Sequence, residues 1–323
     1  MENHVQPFLF IKKNKTMKKN KIIISIFSIT LALLFLNANL PSNKIFRYFN
    51  LNNKTEINHS IQQLHIQAPK IPKTISFAGE QVPLNDWEVR ERLDRELVVN
   101  CNLHSATIFL IKRANRFLPT IEKILAENNI PDDFKYLCMA ESGLDNVVSP
   151  AGASGFWQFM KGTAPSYGLI VNSEVDERYH LEKATQAACK YLYESKNNTG
   201  SWTAAAAGYN MGIVGIKNQI DKQIDSNYYN LFLNTETSRY LLRIIALKII
   251  YENQNDYGFY LENDDLYPKI DTKEVEVNGA EDWVAFAKNN NTTYKIIRKL
   301  NPWIRESKLY NKERRTYFVK IPK

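Results

Sequence analysis

Cysteine is scarce in this chain, with only Cys101, Cys138 and Cys189 among 323 residues. An odd number cannot all pair, so a disulfide-stapled scaffold is excluded. Two readings stay open for Cys138 and Cys189, which fall in helical stretches: small buried hydrophobes or a bonded pair. The three thiols lack metal-ligand spacing, and no cluster of histidines and acids replaces them, so neither a metal nor a cofactor is expected. No phosphate loop or dinucleotide fingerprint occurs. Long apolar runs are nearly absent too. Ile22–Leu36 is an unbroken apolar run without charge, and it is short for a membrane span.

The charge is +8, but it is unevenly spread. Residues 1–40 hold six lysines against Glu2, a surplus of +5 that leaves +3 for the rest. No basic face large enough for nucleic acid remains, and none is expected as a partner. Lysines ahead of a 15-residue apolar run form an export signal. Residues 1–40 therefore read as a signal peptide or an uncleaved N-terminal membrane anchor. Asn37-Ala38-Asn39 is an unconvincing cleavage site, and Met17 heads a more natural start than Met1. No cysteine directly follows the run, which argues against a lipoprotein. The bulk of the chain is expected in the periplasm or cell envelope, and membrane contact only through this segment.

What is present centres on Pro131–Met160. Pro131, Asp132 and Asp133 make a helix start, because proline fits a first turn and acids there complement the dipole. Phe134, Leu137, Cys138 and Glu141 then share one helical face, and Gly143 stops the helix. A carboxyl at the end of an apolar stripe is partly desolvated, which raises its pKa toward what a general acid needs. The competing reading is a helix-end glutamate turned to solvent. Small residues from Ser149 to Gly155 lead into Phe156-Trp157-Gln158-Phe159, where backbone can approach a ligand and aromatics can offer a surface to a sugar.

Glu141-Ser142, Gly155-Phe-Trp-Gln158, Gly208-Tyr209-Asn210-Met-Gly212 and Glu236-Thr-Ser-Arg-Tyr240 occur in that order. Together they resemble the lytic transglycosylases of glycoside hydrolase family 23, over roughly Gly79 to Glu262. Gly208 stands where many relatives have alanine. The resemblance implies a mainly α fold, a lysozyme-like helical catalytic domain of the goose type, acting on peptidoglycan glycan strands. It implies that Glu141 is the catalytic acid and then base, with no enzyme nucleophile, leaving a 1,6-anhydro end. Ser142 would bond near the reacting centre, and Gln158 would hold substrate by its amide. Tyr209 and Tyr240 would fix sugar or acetamido groups, and Asn210 would position its neighbours. A lysozyme-type hydrolase and a non-catalytic glycan-binding envelope protein are the alternatives.

Along the chain, residues 41–78 read as a linker rich in Asn, Gln, Lys and Pro. Residues 79–130 read as an N-terminal helical part, with helices from Asp86, over Ser105–Phe117 and over Thr120–Asn128, the last two separated by Pro119. Residues 131–262 form the expected catalytic domain. In it, Asp176 and Arg178 read as structural partners or a cap for the helix starting near Leu181. Helices are expected at Leu181–Lys196, Trp202–Asn210 and Glu236–Asn253. Residues 268–323 show a βααβ order that looks like a degenerate LysM module. In that family it binds N-acetylglucosamine-containing glycans, but Gly279-Ala-Glu-Asp282 replaces the usual Gly-Asp-Thr.

Overall fold

The computed structural model describes residues 67–323. The export segment and most of the expected linker lie outside the described residues. The end of that linker is packed: Ser76–Phe77 (β1) pairs with Glu80–Gln81 (β2), and Phe77 is fully buried against Phe134.

Helix α1 (Trp87–Asn102) starts where Asp86 accepts from the backbone N–H groups of Glu88 and Val89. Helix α2 runs unbroken from His104 to Glu127, against the expected break at Pro119. Pro119 and Asn115, whose carbonyl it cannot bond, are both exposed, so that carbonyl is not left in the core. On the opposite face Leu110, Ala114, Leu118, Ile121 and Leu125 form one buried stripe across the proline. Continuity of that stripe outweighs a local cost of about 3 kcal/mol.

Helix α3 (Phe134–Ser142) ends on Gly143 in the left-handed conformation, as its sequence dictates, although Asp132 and Asp133 form a turn before it rather than its first residues. Helix α4 (Leu181–Thr199), α5 (Trp202–Met211), α6 (Ile213–Gln223) and α7 (Thr235–Glu252) complete the larger bundle. Ala204–Ala207 are fully buried, which lets α5 sit closely among α4, α6 and α7. Helix α6 was not anticipated, because Gly212 ends α5 and at once begins it. All three cysteines are free. No described helix is long and apolar enough to cross a membrane.

The C-terminal unit has the expected order. Strand β3 (Thr272–Val277) pairs antiparallel with β6 (Tyr317–Pro322), around α8 (Trp283–Asn289) and α9 (Tyr294–Leu300). A minor pair, β4 (Glu281–Asp282) with β5 (Lys308–Leu309), uses the region of the departed motif. Asp282 there caps α8 by accepting from Val284 and Ala285 N–H. Trp283, Phe286, Trp303, Tyr317 and Val319 make a second small core, and Val175 and Tyr179 of the larger body enter it. Backbone bonds join the two bodies: Asp176 N–H to Trp303 O at 2.9 Å and Arg305 N–H to Glu174 O at 2.8 Å.

Candidate functional site

Helix α3 brings Glu141 to its last turn, facing α7. Tyr240 on α7 donates its hydroxyl to Glu141 Oε1. Burial of the pair disfavours the charged carboxylate and pushes Glu141 up to about 7. The Tyr240 hydrogen bond and the Arg243 guanidinium oppose that rise, while Glu236 adds to it. Glu141 is only half-buried as a residue, and Oε2 receives no hydrogen bond from a described residue, so the acid remains reachable. Tyr240 is itself raised well above the ordinary phenol range by burial and by Glu141, and stays a donor across neutral pH.

The following loop is held by an unusual number of bonds to its own carbonyls. Cys138 Sγ reaches Phe156 O, Tyr209 donates to Trp157 O at 2.8 Å, and Gln158 Nε2 donates to Gly155 O at 2.7 Å and Val147 O at 3.1 Å. Arg178 donates to Gly152 O and Phe159 O, both at 3.1 Å, while its guanidinium grips both oxygens of Asp176. Gly155 is obligatory, since a Cβ there would lie 1.9 Å from the Arg178 carbonyl oxygen and φ is +80°.

The six sequence candidates divide accordingly. Glu141 and Tyr240 meet directly, while the Tyr209 phenol is raised by burial first and by the Glu141 charge second. Ser142 bonds back to Cys138 O at 3.3 Å within α3. Gln158 sits at φ +49° with its amide N–H groups used by the loop. Asn210 spans to α7, accepting from Thr237 Oγ1 at 2.8 Å and donating to Glu236 at 3.2 Å. The expected aromatic sugar surface is corrected. Phe156, Trp157 and Phe159 are buried, and Trp157 donates its indole N–H to Thr185 at 2.9 Å. A glycine-rich loop turns these rings inward, because three adjacent aromatics gain more from burial than from a hydrated cleft.

Asp176 caps the short turn Glu177–Tyr179 rather than the helix at Leu181, whose cap position is His180. Sequence reading missed Arg243. Its signal was present: it lies three residues after Tyr240 on a helix, hence on the same face.

The described residues form a mainly helical body with a carboxyl on a helix end, followed by a small βααβ unit, and a stretch of each matches a family model. Residues 119–232 match the family model described as the transglycosylase SLT domain. Residues 273–323 match that of the soluble lytic transglycosylase C-terminal LysM-like domain.

The chain is similar to membrane-bound lytic murein transglycosylase D of Escherichia coli, strain K12 and strain CFT073 alike. Each is 28% identical over 200 residues, covering 59% of this chain and 43% of the relative. The chain thus spans less than half the length of these curated relatives. An X-ray structure of an inactive mutant of the lytic transglycosylase Slt from Pseudomonas aeruginosa aligns with a TM-score of 0.34 at 18% identity. It covers 47% of this chain and 26% of that one.

Proposed function

We propose that this protein is a peptidoglycan lytic transglycosylase that cleaves the β-1,4 bond between N-acetylmuramic acid and N-acetylglucosamine. The observation that carries the reading is a reachable carboxyl, Glu141, raised to about 7 and held by Tyr240. Such a group is protonated often enough at neutral pH to act first as acid. Glu141 gives its proton to the glycosidic oxygen as that oxygen leaves C1. It then takes the proton of the muramyl 6-hydroxyl as the 6-oxygen bonds to C1. The product is a 1,6-anhydro end, no water is consumed, and the carboxyl returns to its starting state.

Tyr240 orients the carboxyl and stabilises it when ionised, with Arg243 assisting by charge. Tyr209 and Gln158 serve substrate chiefly by fixing the loop backbone, leaving Gln158 Oε1 as an acceptor. Ser142 and Asn210 complete the cleft edge, Asn210 by holding α5 to α7. Residues 131–262 are the proposed catalytic domain, 79–130 its helical support and 268–323 the LysM-like module. A murein substrate places the protein in the envelope, reached through the N-terminal export segment or anchor.

One observation favours a second reading, a hydrolase. Glu236 lies within charge reach of Glu141 and supplies a second carboxylate of the kind hydrolases use. Mass spectrometry of products from purified sacculi separates the two. Anhydro-muropeptides are expected; reducing ends heavier by one water would replace the transglycosylase with a hydrolase.

A further inference from the structure

Behind the loop that follows α3 lies a groove of about 670 Å³, between that loop and the LysM-like domain. Its lining includes four cations, Lys295, Arg298, Lys299 and Arg305, together with Asn146 and Tyr179, and no acid. None of the four cations forms a salt bridge with a described residue, although fourteen such pairs occur elsewhere in the described chain.

Lys295 is three residues from Arg298 and four from Lys299, so like charges stack along one face of α9, an arrangement that weakens a helix. The helix dipole accounts for cations in the last turn. It does not account for Lys295 in the first turn, where a cation is unfavourable. Nor does it reach Arg305, which lies beyond the helix with its guanidinium 4.3 Å from the centre of the Tyr179 ring. In the lining residue Asn146, Oδ1 is buried without a hydrogen-bond partner.

The groove is braced across its walls, and one wall is bonded to a residue of the candidate site. Its two walls are tied by the backbone bonds between 174–176 and 303–305. Val147, between the lining residues Asn146 and Val148, accepts from Gln158 through its carbonyl.

We propose that this groove binds the carboxylate-bearing peptide stems of the glycan strand that Glu141 cleaves. This rests on the peptidoglycan reading above. A stem peptide supplies carboxylates for the four lining cations. The groove volume falls in the range of small-ligand sites and holds a few residues of extended peptide.

The test uses the full-length chain carrying Glu141→Gln, so that bound polymer is not consumed. Sedimentation binding is measured on purified sacculi, either intact or stripped of stems by an amidase. Intact sacculi should bind on the order of tenfold more tightly, from several exposed ion pairs acting together. The preference should shrink as salt rises. It should vanish in the triple variant Lys295→Gln, Lys299→Gln, Arg305→Gln, whose three positions are all exposed.

Equal binding to both preparations overturns the proposal, and so does a preference that survives in the triple variant. Equal loss of binding to phosphatidylglycerol vesicles and intact sacculi in that variant, with no stem preference, would assign the groove to anionic lipid instead. Product analysis with Glu141 intact reads the lytic assignment separately. Anhydro ends formed without any stem preference sink only the groove, whereas stem-dependent binding without glycosidic cleavage sinks only the enzyme.

Discussion

Two carboxylates near the centre of this protein have opposite fates. Asp176 is buried, gives both oxygens to the Arg178 guanidinium, and accepts the Arg178 backbone N–H as well. Glu141 is desolvated too, yet its one hydrogen-bond partner among the described residues is a neutral phenol. A matched countercharge makes the first acid a structural rivet. Its absence leaves the second able to exchange a proton near neutral pH. Burial does not separate the two; only their partners tell them apart.

Breaking the rivet should produce the largest effect. Arg178→Met leaves Asp176 buried without its countercharge and frees the carbonyls of Gly152 and Phe159. A loss of about 3–5 kcal/mol is expected from chemical denaturation. A loss under about 1 kcal/mol would mean the pair is no more structural than a surface bridge.

Glu141→Gln should reverse that pattern, removing function and sparing the fold. Turnover of murein should drop at least ~10²-fold, the low end for general acid–base catalysis. Its stability effect has a definite sign. The folded-state value of about 7 lies above the ordinary carboxyl value of 4.5, so the native state holds a proton that the unfolded chain releases. Wild-type stability therefore falls as pH climbs from about 4.5 to about 7, and Gln, being neutral, escapes that fall. At pH 8 the variant should be more stable by on the order of 2 kcal/mol, allowing for the solvent-facing oxygen. Near pH 4.5 the difference should disappear. Parallel melts of both proteins across this range decide it, and identical pH profiles would show that Glu141 is fully hydrated.

Much of this contrast could be read in the sequence, because it is local. Phe134, Leu137, Cys138 and Glu141 at helical spacing, with Gly143 behind them, specify both the helix and the position of the acid. The βααβ order of the last module was equally visible in its periodicity. Features set by tertiary packing were not. Pro119 punctuates a helix on paper, but which face it occupies depends on what α2 packs against. Phe156, Trp157 and Phe159 look alike as core or as cleft until Thr185 is found beneath the indole. The basic groove joins α9 to a loop about 150 residues earlier, a juxtaposition no motif encodes.

The smallest expected effects concern how Glu141 is tuned, and they sharpen the comparison most. Tyr240→Phe removes the strongest influence that lowers the carboxyl, so burial acts with less opposition and the value moves above about 7. The protonated acid then persists to higher pH, and the falling alkaline limb of kcat/KM should shift upward. The reclaiming step should slow as well, because the ionised form loses its only donor among the described residues. Arg243→Met should shift the limb in the same direction by less, since its influence is purely coulombic and ranks behind the hydrogen bond. A pH–rate series on soluble murein fragments measures both. If neither limb moves, Glu141 draws its character from burial alone, and the phenol is merely a packing neighbour. A larger shift for Arg243→Met than for Tyr240→Phe would make the guanidinium the true counterpart of Arg178, and the two carboxylates would then differ in degree rather than in kind.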